Sequence, residues 1–232
     1  MKILSFHNSL EASAALYING EIKAAISEER FNRIKNFHGF PYKSINYLLK
    51  KFNINFKDLD YVIYGMINSI FPDAYTQSKI DEKSKNVLKR YKNKFQERID
   101  TEIEWNKKHL RELYKFAKKK NFSNKLILID HHESHAAGAY FTSPFKDAMI
   151  FTFDGKGGFK SSSIYKAKNN KFEEIDFLTT FDSLGYFYGN ITRALGFKSE
   201  RHEGKVTGLA AYGKKTPLIK YFKSFIKKNK KN

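Results

Sequence analysis

Short apolar runs at residues 2–6, 12–18 and 21–27 predict three strands in quick succession. Asn19-Gly20 lies between the second and third, a pair that turns a tight hairpin because both residues tolerate left-handed backbone. Pro41 then precedes Ile45, Leu48, Leu49 and Phe52, whose spacing places them on one face of a helix. The run DYVIYGM, residues 60–66, predicts a fourth strand, so the chain opens as βββαβ.

Residues 71–124 change to charged sequence of helical period. Val87, Leu88, Tyr91 and Phe95 make one stripe and Leu110, Leu113, Tyr114 and Phe116 a second, which predicts two or three helices capping the sheet with solvated, lysine-rich outer faces. A short strand over residues 126–129 leads into HHESHAAGAY. If Asp130 or His131 opens a helix, His131 and His135 stand four residues apart on one face and can share a metal ion. The apolar run 148–153 predicts a further strand ending at Asp154-Gly155. Were these two strands neighbours in one sheet, the histidines and Asp154 would meet at its carboxyl end, where open α/β sheets hold ligands.

The pattern then repeats. Strands are expected at 162–167 and 172–178 around a turn at Lys168-Asn169-Asn170, followed by a helix marked by Leu184, Phe187, Tyr188, Ile191 and Leu195 and stopped by Gly196. A duplicated βββαβα plan with a cleft between two lobes is the architecture of actin-like, ribonuclease H-like ATPases, an α/β fold. The expected organisation is a complete first lobe at 1–145 carrying a helical insertion at about 71–124, the start of a second lobe at 146–215, and a basic helix or tail at 216–232. No apolar strand remains after Gly196 to complete the second sheet.

Composition changes this picture little. The net charge of +19, from 43 Lys and Arg against 24 Asp and Glu, raises a nucleic-acid or membrane-surface reading. The excess is mostly lysine alongside abundant Asn, Ile, Phe and Tyr, so compositional bias is the preferred explanation. The absence of cysteine excludes disulfides and thiolate metal sites. With no apolar stretch long enough for a signal peptide or membrane span, a soluble cytoplasmic protein is expected. His132-Glu133-Ser134-His135 is one residue short of the zinc-protease pattern, so protease chemistry is not expected.

Three segments together carry a resemblance: ASAALYINGEIKAAISEERFNRIK; DHHESHAAGAYFTSPF with FTFDGKGG; and SLGYFYGNITRALGFKSERHEGKVTGLAAYG. In this order the chain resembles the amino-terminal part of the NodU/CmcH-type O-carbamoyltransferases. The resemblance implies transfer of a carbamoyl group from carbamoyl-adenylate, made from carbamoyl phosphate and ATP by a domain absent here, to a hydroxyl of a sugar or natural product. It implies a divalent metal, commonly iron, held by His131, His135 and Asp154. Gly155, Gly157 and Gly158 would let backbone N–H groups approach phosphate, and Lys205 would contact nucleotide phosphate. A further aspartate ligand of the family has no source in this sequence.

Two loops depart from the family pattern. Leu10-Glu11 stands where relatives carry His-Asp, with His7 nearby, and Asn36-Phe37 where they place a histidine, with His38 displaced. Three accounts fit the short second lobe: a split enzyme completed by a second polypeptide, a truncated relic, or a binding subunit. In each, the isolated chain is expected to transfer no carbamoyl group. Similarity to the tRNA threonylcarbamoyl transferases leaves a basic-surface, tRNA-binding subunit as the alternative class.

Overall fold

The structure, a computed structural model, describes residues 1–225. Strands β1 (Lys2–His7), β2 (Ser13–Ile18) and β3 (Glu21–Ser27) form an antiparallel meander. Asn19 and Gly20 take the positive φ values, 49° and 98°, that the hairpin requires. After the single turn α1 (Glu29–Asn32) and helix α2 (Tyr42–Lys51), β4 (Tyr61–Met66) joins β1 in parallel and β5 (Leu126–Asp130) joins β4 in parallel. The resulting order is β3-β2-β1-β4-β5, a mixed α/β lobe of the kind the βββαβ pattern predicts.

Alternation decides which side chains enter the core. Leu4 and Phe6 of β1, Ala14 and Leu16 of β2, and Val62, Tyr64 and Met66 of β4 are buried together with Ile45, Leu48 and Leu49 of α2. The carboxylate of Glu28, itself buried, accepts hydrogen bonds from the Lys43 and Ser44 N–H groups and the Ser44 hydroxyl, so the free amino end of α2 finds its acceptor across the loop.

The insertion forms α3 (Ala74–Asn86) and α4 (Lys92–Lys120). The predicted stripe through Val87, Leu88, Tyr91 and Phe95 does not survive. Val87 and Leu88 are extended, Lys89–Tyr91 is a 3-10 turn, and Leu88 and Tyr91 are exposed. Tertiary contacts override the period: α3 sets Tyr75 edge-on to Phe177, while Phe95 of α4 stacks on Phe181 at 4.2 Å. The second stripe holds for Leu110, Leu113 and Phe116, which enter the same core as the sheet; Tyr114 faces out.

β6 (Asp147–Gly157), β7 (Lys160–Lys168) and β8 (Lys171–Thr179) make a separate antiparallel sheet, with Asn169 and Asn170 at positive φ in the second hairpin. Here one expectation is corrected: β5 and β6 are not neighbours in one sheet. The helix α5 (His131–Phe141) intervenes and packs Ala136 and Tyr140 against Ile150, Tyr165 and Ala167 of the second sheet. The Tyr140 hydroxyl donates to the Lys146 carbonyl at 2.6 Å and accepts from the Asn170 N–H at 3.2 Å. The amino end of α5 belongs to one sheet by sequence and its body to the other by packing.

Packing divides the chain into Met1–Gly185 and Tyr186–Asn232. This cut follows contacts, whereas the lobe boundaries at 145 and 215 follow the strand repeat, so the one does not decide the other. The second unit holds nearly all of α6 (Leu184–Ala194), then α7 (Glu203–Leu209) and α8 (Leu218–Phe225). Gly196 ends α6 at φ 82°, as its place after the apolar stripe predicts. Within this unit Tyr188 and Thr207 hydroxyls lie 2.8 Å apart and the Phe187 and Phe222 rings meet at 6.3 Å. Part of the predicted basic tail, residues 226–232, lies outside the described residues. Among the described residues no helix is long and apolar enough to cross a membrane.

Candidate metal centre

Asp130 ends β5 and caps α5, its carboxylate accepting the N–H groups of His132 at 2.9 Å and Glu133 at 3.2 Å. The cap fixes the first helical residue as His131, and the helical repeat then brings His135 above it. Gly65 of β4 leaves room for this approach, since a Cβ there would stand 2.8 Å from the Ser134 hydroxyl. His132, next in sequence to His131 and fully buried, places its Nδ1 2.9 Å from the Thr152 hydroxyl and so pins α5 to β6. Burial, with His131 adding to it, holds the His132 imidazole below its ordinary pKa.

Asp154 arrives from the other sheet. β6 pairs regularly with β7 through Phe153 and Ser162, then shifts register, and pairing resumes at Gly157 and Lys160. Residues 154–156 therefore oppose a shorter stretch of β7, a bulge that turns the Asp154 side chain toward α5. Gly155 and Gly157 thus lie in the bulged end of a strand. The Ser183 hydroxyl donates to the Gly155 carbonyl at 2.7 Å, and Gly185 lies so close that a Cβ there would stand 2.9 Å from the Asp154 carbonyl oxygen.

The three predicted ligands converge. His131 Nε2 lies 2.7 Å from Asp154 Oδ2 and 3.1 Å from His135 Nε2, and His135 Nε2 lies 3.7 Å from the same carboxylate oxygen. A four-coordinate ion with bonds of about 2.1 Å holds its ligand atoms roughly 3.4 Å apart, which these separations bracket. The other carboxylate oxygen accepts the Gly155 N–H at 2.6 Å. His131 Nδ1 faces the Met66 sulfur at 3.1 Å, leaving Nε2 to serve the centre. The donor set of two imidazoles and one carboxylate suits a divalent transition metal. Burial opposes ionisation of Asp154, but hydrogen bonds from His131 and His135 outweigh it and hold its carboxyl below the usual carboxylate range.

The glycines divide by position. Gly157 bears directly on the His131 ring, where any Cβ would collide with Cδ2, Cγ and Cβ of the histidine. Gly158 turns the chain into β7 at φ 61° with open space around it, and Gly155 packs under Gly185. Lys205 belongs to the second unit, where its Nζ lies 3.2 Å from His202 Nε2.

Sequence reasoning gave no role to several neighbours. His7, at the end of β1, sits 3.1 Å from the Ser13 hydroxyl. Burial, then the charges of His131, His135 and His38, press its imidazole down to about 4. The two loops that depart from the family pattern pair with each other: Leu10 bridges to His38, the Ala12 N–H donates to the Phe37 carbonyl, and the Asn36 amide donates to Glu11. Met66 and Lys156 lie in strands and His132 in α5, and no spacing rule assigns any of the three to the site.

The family described as carbamoyltransferase N-terminus matches residues 2–231. An uncharacterized protein of Methanocaldococcus jannaschii is 34% identical over 210 residues, 90% of this chain and 33% of that protein. The nodulation protein NolNO of Sinorhizobium fredii is 26% identical over 223 residues, 93% of this chain and 29% of that one. The chain thus spans about a third of the length of such curated relatives. Among solved structures, YeaZ from Pseudomonas aeruginosa aligns with a TM-score of 0.43 at 12% identity over 77% of this chain and 66% of that one.

Proposed function

Because the chain belongs to the carbamoyltransferase N-terminus family, we propose that its metal centre assists passage of a carbamoyl group to a hydroxyl of a sugar or natural product. The observation that carries this reading is the convergence of His131 and His135, from the amino end of α5, with Asp154, from the bulged end of β6. These residues would hold a divalent transition metal, with the iron of the resembling enzymes as first candidate. Such an ion supplies Lewis-acid polarisation of the carbamoyl carbonyl and neutralises phosphate charge.

The protein's own groups prepare that arrangement. Asp154 keeps one oxygen for the imidazoles and anchors the other on Gly155 N–H, so the carboxylate is aimed before any ligand arrives. Gly158, open and at positive φ, presents backbone to a phosphate without a side chain in the way. Lys205 is assigned a charge contact to nucleotide phosphate. Formation of carbamoyl-adenylate from carbamoyl phosphate and ATP is assigned to the part of the relatives' length that these 232 residues do not span, on the same or a second polypeptide.

Calorimetric titration with a divalent transition metal tests the reading. One ion should bind per chain, and His131→Ala should weaken binding at least about hundredfold, beyond the effect usual for supporting residues. Unchanged binding in that variant contradicts the metal centre. Affinity for tRNA that falls steeply with salt and ignores His131→Ala would favour a basic-surface function instead.

A further inference from the structure

We propose that Glu102, on the inserted helix α4, is a positioning residue for Asp154, acting through Lys156; its link to chemistry rests on the metal reading above. Glu102 is fully buried, an unusual place for a carboxylate unless it is paired. Both its oxygens are taken by Lys156 Nζ, at 2.8 and 3.1 Å, and one also faces the Arg98 guanidinium at 2.8 Å from one turn earlier on α4. The Lys156 ammonium lies over the Trp105 ring at 4.7 Å, so α4 holds it by charge and by an aromatic face together.

Lys156 belongs to the bulge, two residues beyond Asp154. In a regular ladder the partner strand would fix the direction of every side chain, but pairing lapses between Phe153 and Gly157. Side-chain tethers must do it instead. Asp154 reaches forward to His131, Lys156 reaches to Glu102, and Gly157 presses on the His131 ring. With the lysine end anchored, the bulge cannot rotate about its length without breaking a buried charge pair, and the Asp154 carboxylate stays aimed at the histidines. The helical insertion, otherwise a solvated cap, thereby becomes a brace for the centre.

Cobalt(II) serves as the probe, read by affinity and by its visible d–d absorption in the full chain. Glu102→Gln should lower cobalt affinity about tenfold and alter the absorption band, the size usual when a supporting residue is lost. In an Asp154→Asn background the same substitution should change affinity less than about twofold, because its effect passes through the carboxylate. An equal drop in both backgrounds, or none in the first, overturns the proposal. Lys156→Met approaches the pair from the partly exposed side and decides the matter where Glu102→Gln does not fold; adding it to Glu102→Gln should cost nothing more.

Hydrogen exchange of amides 155–158 in the metal-free chain gives a reading independent of any ion. The brace predicts exchange about tenfold faster in Lys156→Met, and unchanged rates overturn it. A wild-type chain that binds no cobalt while its variant's bulge loosens would refute the metal reading and leave the brace standing.

Discussion

At the scale of the residue, the site is built as much by what is missing as by what is present. Gly157 lacks a Cβ where the His131 ring needs the space, so Gly157→Ala must displace the ring or the bulge. Overpacking of this kind costs about 1–3 kcal/mol, and chemical denaturation should show that loss together with weaker metal binding. His7 supplies a pH dependence. Its folded-state value, about 4, lies below the ordinary 6.5, so between these limits the unfolded chain takes up a proton that the folded chain refuses. Stability is full above pH 6.5 and falls as the pH drops toward 4, by up to about 3 kcal/mol from this residue. His109 and His132, also lowered by burial, act in the same direction. Urea unfolding at pH 7 and pH 5 should show the decline, and His7→Gln should flatten it; equal slopes would contradict the assignment. The His-x-x-x-His pair was legible in the sequence because helical spacing alone sets it. The packing of Gly157 against the His131 ring was not legible, because nothing local records which ring it touches.

Among the elements, α5 carries the most consequence. Asp130 caps it, His132 pins it to β6, and Tyr140 anchors its far end between two turns of the second sheet. Asp130→Ala should cost about 0.5–2 kcal/mol through the lost cap and should loosen His131, so thermal unfolding and metal titration should fall together. A stability loss with unchanged metal affinity would show that the cap does not set the ligand. Every strand was legible, since apolar runs and the Asn-Gly and Asn-Asn turns are local signals. The break between α3 and α4 was not, because Tyr75 and Phe95 answer to aromatic partners about a hundred residues away in sequence. Nor was the separation of β5 from β6, which depends on where α5 packs rather than on the strands themselves.

In the whole molecule, a sheet of order β3-β2-β1-β4-β5 and a second sheet of order β6-β7-β8 stand on either side of α5 in the sequence. The three candidate ligands come from the amino end of α5 and the bulged end of β6, so they meet only if that helix and the second sheet fold together. A metal bound there would link α5 to β6 and stabilise the folded chain by mass action. The helical insertion enters this account through the buried Glu102–Lys156 pair, which the charge pattern of α4 concealed among many surface lysines. The most direct test is anomalous scattering from crystals of the chain grown with iron(II) or cobalt(II). One peak should stand within about 2.3 Å of both His131 and His135 Nε2 and of an Asp154 carboxylate oxygen. A map with no peak there, or with the two imidazoles turned to bulk water, contradicts the metal centre.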